Sequence, residues 1–169
     1  MPESHAFNLP GDTPHYAPDA CWRAQHLRLE IAVDPERKRV EGTAAYSLRR
    51  AQAGGAAEIE LDAAEMEIVE VIGARSWSHS EGTLTIEPES QEAELEVAIR
   101  YAAEPQKGMY FLEPDEAYPD RPRQIWTQGQ AEDTRYWIPS FDFPNQKLTT
   151  ELIATVPEHL TVVSNGRLV

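Results

Sequence analysis

The chain has little cysteine, few basic residues and no long hydrophobic run, and each shortage argues against a class of protein. Its single cysteine, Cys21, has no second thiol in the chain with which to form a disulfide, which is typical of a reducing compartment. Lys and Arg number 15 against 29 Asp and Glu, and the resulting net charge of -14 repels nucleic-acid phosphates and anionic membranes. No apolar run approaches the roughly 20 residues that cross a bilayer. We expect a cytoplasmic protein that binds neither nucleic acid nor membrane.

The first 20 residues differ from the rest of the chain in their hydrophobic pattern. The first residues lack the basic and then apolar layout of a signal peptide, and residues 1–20 show little hydrophobic periodicity. We expect an extended N-terminal arm there. Residues 21–169 are numerous enough to bury the core of one domain.

A helical period is also missing, because no stretch of 12 or more residues repeats its apolar positions convincingly at helical spacing. Instead, apolar residues alternate with polar ones from Gln25 to Val33 and again from Val40 to Leu48, with a turn at 34–38 between the two runs. This pattern predicts an antiparallel hairpin. Further strands are predicted for 59–61, 66–72, 84–86, 95–101, 149–156 and 160–163. The sequence therefore predicts an all-β domain, an antiparallel sandwich or saddle of two sheets.

The segment 126–144 is unusual because it places two carboxamides, Gln128 and Gln130, on either side of a glycine. Carboxamide oxygens accept hydrogen bonds from an ammonium group. If a strand continues through both residues, they point to the same face, and Gly129 leaves room for a ligand or a second domain. The alternative is that both side chains bond to the backbone of a turn. Arg135 and Asp142 follow, and we interpret them as a pair that anchors the irregular segment 131–145.

This segment, Thr-Gln-Gly-Gln-Ala followed by Arg and by Pro-Ser-Phe-Asp-Phe-Pro, resembles the amino-terminal domain of zinc aminopeptidases related to aminopeptidase N. Matches at 107–111 and at the Ser-Asn-Gly of 164–166 extend the resemblance over residues 21–169. The resemblance implies the substrate-capping domain of an enzyme that removes N-terminal residues from peptides. It also implies that Gln130 contacts the substrate's amino end and that Gln128 lines the pocket for the first side chain.

The zinc motif of that family, H-E-x-x-H, is absent from the chain. None of the five histidines is followed by Glu, and no two of them are four residues apart. We expect no catalytic residue and no metal ligand here, with zinc held by the catalytic domain of a longer parent protein. The resemblance further implies that the chain stops before the natural end of its domain and is inactive by itself. Strand edges left unpaired predict an edge-strand or swapped homodimer.

The sequence leaves two other functions open. One is a non-catalytic β-sandwich module that binds peptides. The other is a carbohydrate-binding sandwich in which Trp126, Tyr136 and Trp137 form a platform for sugar rings.

Overall fold

The computed structural model describes residues 17, 21–51 and 58–169. Apart from Ala17, the arm predicted for residues 1–20 lies outside the described residues. No helix long and apolar enough to cross a bilayer occurs in the ranges that are described.

The described residues form ten β-strands and one turn of 3₁₀ helix at Thr134–Tyr136. In chain order the strands are β1 Trp22–Asp34, β2 Arg39–Arg50, β3 Ile59–Asp62, β4 Met66–Ile72, β5 Ala74–Ser80, β6 Thr83–Pro88, β7 Glu94–Ala103, β8 Met109–Leu112, β9 Gln124–Thr127 and β10 Thr149–Thr155. The predicted all-β fold is confirmed.

The strands form a five-stranded sheet of order β10-β1-β2-β7-β4, a three-stranded sheet of order β3-β6-β5 and a two-stranded ribbon of β8 and β9. Neighbouring strands are antiparallel, except that β10 runs parallel to β1 from the pair His26 and Thr149 to the pair Ala32 and Thr155. Alternation predicts which face of a strand is buried, but it carries no information about the direction of the partner strand.

The first hairpin forms because its turn satisfies its own backbone. The side chain of Asp34 accepts hydrogen bonds of 3.0 Å from the N–H groups of both Glu36 and Arg37. Along β1, Leu27, Leu29 and Ile31 are buried, while the polar residues between them face solvent. Alternating residues of the larger sheet and of the three-stranded sheet pack into one hydrophobic core.

Two parts of the strand prediction differ from the structure. Residues 160–163, predicted as a strand, are irregular: the N–H of Leu160 donates to the carbonyl of Pro157 in a turn, and Val163 is 91% exposed. Three strands, β5, β8 and β9, were not predicted. β5 has only one large apolar residue, Trp77. In β8 all four residues are apolar or aromatic, and in β9 two apolar residues are adjacent, so neither strand alternates apolar with polar residues.

Candidate functional site

The carboxamide loop, residues 128–133, begins where the ribbon of β8 and β9 ends. The N–H of Gln128 donates to the carbonyl of Gly108 at 2.8 Å, which continues the pairing of Met109 with Thr127 by one step. One face of the ribbon packs on the core through Met109, Phe111 and Ile125. The core therefore fixes the base of the loop.

The two glutamines lie at different positions relative to the strand. β9 ends at Thr127, and the loop then turns, with the N–H of Asp133 donating to the carbonyl of Gly129 at 3.1 Å. The strand alternation thus reaches Gln128 but not Gln130.

Both glutamine side chains are exposed. Neither side chain forms a hydrogen bond with another residue in the described part of the chain. The alternative in which these side chains bond to the backbone of the turn is therefore not the arrangement that this structure has. Their amide groups face solvent and are available to a ligand.

Two glycines fix the path of the loop by close approach. A Cβ atom at Gly129 would lie 2.5 Å from Oγ1 of Thr134, so the room expected there for a ligand is taken by a side chain of this domain. Gly108 has a φ of 75°, and a Cβ atom on it would overlap the carbonyl oxygen of Asp133. The loop is packed tightly against its own neighbours at both points.

Arg135 forms the centre of an ion-pair cluster behind the loop. Its Nη1 lies 3.0 Å from Oδ1 of Asp62, its Nη2 2.9 Å from Oε2 of Glu132, and its Nε 3.2 Å from Oδ2 of Asp142. Its backbone N–H also donates to Oδ2 of Asp142. Arg135 therefore contacts Asp142, the partner named from the sequence, together with Asp62 and Glu132, which were not named.

The cluster also joins the loop to the three-stranded sheet. Asp62, at the end of β3, exchanges backbone hydrogen bonds of 2.8 Å with Ser140, and its Oδ2 accepts from the N–H of Asp142 at 3.2 Å. Partial burial raises the pKa of Asp62, against the opposing effects of the Asp142 N–H and of the Arg135 charge. No local sequence signal indicates this contact, because Asp62 and Ser140 are far apart in the chain.

Residues 139–141, which follow Arg135 in the chain, contact the hydrophobic core. The hydroxyl of Tyr46 donates to the carbonyl of Pro139 at 2.8 Å, and the ring meets that of Phe141 edge-on with centroids 5.9 Å apart. Burial raises the pKa of Tyr46, so the hydroxyl keeps its proton and remains a donor over a wide pH range.

The three aromatic residues considered as a sugar platform have different surroundings. Trp126 stacks on Tyr110, Tyr136 lies beneath the ammonium of Lys107, and Trp137 is half-buried and packs against the core. Trp126 and Trp137 line an apolar groove of about 1060 Å³ between the ribbon, β10 and the segment 156–164, whereas Tyr136, Gln128 and Gln130 are not part of its lining. The three rings therefore do not line one common groove.

No group of three or more His, Cys, Asp or Glu side chains within residues 21–51 and 58–169 is arranged to hold a metal ion. The described residues therefore do not fit a zinc site.

The family model described as the Peptidase M1 N-terminal domain matches residues 13–169. A search of curated proteins finds no match. Among solved structures, native leukotriene A4 hydrolase from Saccharomyces cerevisiae superposes with a TM-score of 0.71 at 18% identity, covering 88% of this chain and 26% of that chain.

Two bacterial structures give similar superpositions. Aminopeptidase A from Legionella pneumophila, in complex with aspartic acid, has a TM-score of 0.65 at 14% identity, with 81% of this chain and 16% of that chain covered. An M1 zinc metallopeptidase from Deinococcus radiodurans has a TM-score of 0.64 at 18% identity, with coverages of 84% and 34%. These similarities concern the fold, and the chain spans about a quarter of the length of the yeast protein.

Proposed function

The chain belongs to the Peptidase M1 N-terminal domain family, and on this premise we propose that it is the substrate-capping domain of a zinc-dependent aminopeptidase. The parent enzyme removes N-terminal residues from peptides. In this proposal Gln130 binds the ammonium group of the substrate, and Gln128 lines the pocket for the first side chain. The catalytic residues and the zinc ligands belong to polypeptide outside this chain, which is inactive by itself.

The observation that carries the proposal is the exposure of both carboxamides without an internal hydrogen-bond partner among the described residues. An amide side chain offers one acceptor oxygen, and an ammonium group offers up to three donors that need such oxygens. The loop that carries the amides is held by Gly108, by Thr134 and by the Arg135 cluster. A rigid support of this kind lowers the entropy cost of binding.

A neutral amide attracts an ammonium group only through its dipole, so in open water it competes poorly with solvent. The attraction strengthens when the site is closed and the local dielectric constant falls. The proposal therefore requires a second wall over Gln130, which the catalytic domain of the parent supplies. The isolated chain should bind free amino acids or peptides only weakly.

The experiment compares the full-length protein with the isolated chain on two peptides that differ only in N-terminal acetylation. The full-length protein should release the first residue from the free peptide and not from the acetylated one, and a zinc chelator should abolish this activity. The isolated chain should release nothing. Equal cleavage of both peptides, or zinc-dependent cleavage by the isolated chain, would contradict the proposal.

A second candidate function is that of a peptide-binding module without catalytic activity. The observation that favours it is the apolar groove of about 1060 Å³, which is large enough for several side chains. Under this alternative, the full-length protein has no peptidase activity, and the isolated chain binds a peptide with an affinity that falls when groove residues such as Leu152 are replaced by charged ones.

We also propose that isolated copies associate through the outer edge of β10. This strand is the last of its sheet, carries Glu151 as its single charge, and has no backbone hydrogen bond on its outer side to another described residue. The opposite edge, β4, has a bulge between Ile68 and Glu70 and two glutamates. Sedimentation should give a dimer that Leu152→Lys dissociates and Val69→Lys does not; a wild-type monomer at every concentration would contradict this.

We propose a cytoplasmic location, supported by Cys21, which has no disulfide partner in the chain. Cell fractionation of the tagged full-length protein tests this location.

A further inference from the structure

The outer face of the ribbon carries an exposed aromatic stack. Tyr110 and Trp126 lie opposite each other in the β8 and β9 pairing, with ring centroids 4.6 Å apart and an angle of 23° between the planes. Trp126 is 44% exposed, although the opposite face of the same ribbon packs on the core. A tryptophan exposed to this extent forgoes a large part of the hydrophobic stabilisation that its burial would provide.

The stack and Gln128 share one side of the ribbon. The hydrogen bond from the Gln128 N–H to the carbonyl of Gly108 keeps the register in which Trp126 opposes Tyr110. Residues two apart in such a ladder project to the same face and are separated by about 7 Å along the strand. An apolar aromatic surface therefore lies directly beside the amide of Gln128.

The stack also has an open side. Tyr110 covers one face of the Trp126 indole, and much of the rest of the ring is accessible to solvent. Apolar and aromatic groups pack on such a ring in stacked or edge-to-face geometry, while a carboxylate meets the negative face of the π system and gains nothing. This surface favours one ligand group over another by shape and polarity rather than by hydrogen bonding.

We infer that Trp126, supported by Tyr110, is a specificity-determining residue that contacts the first side chain of the substrate and favours apolar, above all aromatic, N-terminal residues. This inference rests on the proposed aminopeptidase function. If Trp126 instead packs on the catalytic domain for stability, its removal should weaken the hydrolysis of all substrates alike.

The test measures kcat/KM of the full-length protein on anilides of Phe, Leu and Ala. Trp126→Ala should lower the ratio of kcat/KM for the Phe anilide to kcat/KM for the Ala anilide by about 2- to 10-fold. Trp126→Phe keeps an aromatic face and should restore most of this ratio. Trp77→Ala is the matched control, because Trp77 is 40% exposed on β5 of the other sheet. The control should leave the ratio unchanged.

The outcomes separate this inference from the proposed function. An active enzyme whose ratio of Phe to Ala is the same in Trp126→Ala and in the wild type overturns the inference and leaves the proposed function standing. A wild-type protein that releases no N-terminal residue overturns both. Circular dichroism and thermal melting confirm that each variant is folded, and Trp126→Phe provides the second measurement should Trp126→Ala not fold.

Discussion

Arg135 connects the carboxamide loop to the rest of the domain through three carboxylates of different exposure. Asp142 is 8% exposed and accepts two hydrogen bonds from Arg135, whereas the side chains of Asp62 and Glu132 are 21% and 30% exposed. Solvent screening weakens an ion pair as its members become exposed. The buried contact with Asp142 should therefore contribute most to stability.

Replacing Asp142 and replacing Asp62 should have unequal effects. Asp142→Ala leaves the Arg135 charge and its N–H without their buried partner and should lower the free energy of unfolding by about 3 kcal/mol. Asp62→Asn keeps an acceptor for the Asp142 N–H and should change the free energy of unfolding by less than about 1 kcal/mol. Urea denaturation of both variants measures the difference.

The pH dependence gives a further check on Asp62. The pKa of Asp62 is raised in the folded protein. Its contribution to the stability of the fold is therefore fully present below the pKa of the unfolded chain, about 4, and is lost as the pH rises through the folded pKa. Relative to the wild type, Asp62→Asn should therefore gain stability as the pH rises above about 4. Equal losses for Asp142→Ala and Asp62→Asn, or the opposite trend with pH, would contradict this description of the cluster.

The same substitution at two buried tyrosines should have different effects on stability. Tyr46→Phe removes the donor to the Pro139 carbonyl and should cost about 1 to 2 kcal/mol. The Tyr101 hydroxyl is buried with no partner among the described residues, so Tyr101→Phe should be neutral or stabilising. Thermal melting at neutral pH measures both; a destabilised Tyr101→Phe variant would show that its hydroxyl is satisfied.

The ribbon of β8 and β9 determines where the carboxamides lie. Its inner face is fixed by the core, and its end is fixed by the contact between Gly108 and the carbonyl of Asp133. This ribbon was not predicted, because β8 and β9 do not alternate apolar with polar residues, and yet the motif around Gln128 and Gln130 had already named the residues that follow it. The motif thus named Gln128 and Gln130 as candidates without indicating the strands that support them.

Gly108→Ala tests the role of the ribbon end. The residue at 108 has a positive φ, which costs a residue with a Cβ about 1 to 2 kcal/mol, and the overlap with Asp133 should add about 1 to 3 kcal/mol. Gly166 has a φ of 98° with no atom within 4 Å of an added Cβ, so Gly166→Ala should show only the first cost. Equal destabilisation of the two variants in denaturant would argue against a packed loop.

Some elements were predicted from the sequence and others could not be. Long strands with buried alternate residues, such as β1 and β2, follow directly from the spacing of their apolar residues. The parallel pairing of β1 with β10 and the bridge from Asp62 to Ser140 join distant parts of the chain, and no local pattern encodes them. The irregular course of 160–163 shows that a short run of apolar residues is not sufficient for a strand, since this segment pairs with none of the described strands.

The whole molecule is strongly acidic, and its charges repel one another in the folded state. With a net charge of -14, compaction is opposed by repulsion that salt screens. Raising the NaCl concentration from about 0.01 M to about 1 M shortens the Debye length from about 30 Å to about 3 Å. The melting temperature should rise over this range, with KCl giving the same result; a fall would mean that attractive ion pairs dominate.

In the proposed function the whole chain is one part of a larger recognition surface. It spans about a quarter of the length of the yeast protein on which it superposes, and its exposed amides need a second wall before they can bind an ammonium group strongly. The proposed function therefore depends on an interaction between the Gln130 side chain and a substrate that both domains of the parent enzyme hold.

The most direct measurement is the Michaelis constant of full-length Gln130→Ala for a short peptide with a free N-terminus. Loss of one hydrogen bond to a charged group costs about 1.5 to 3 kcal/mol, so KM should rise roughly tenfold to hundredfold, and Gln130→Glu should retain or improve binding. An unaltered KM in Gln130→Ala, with the enzyme active and folded, would contradict the role of Gln130.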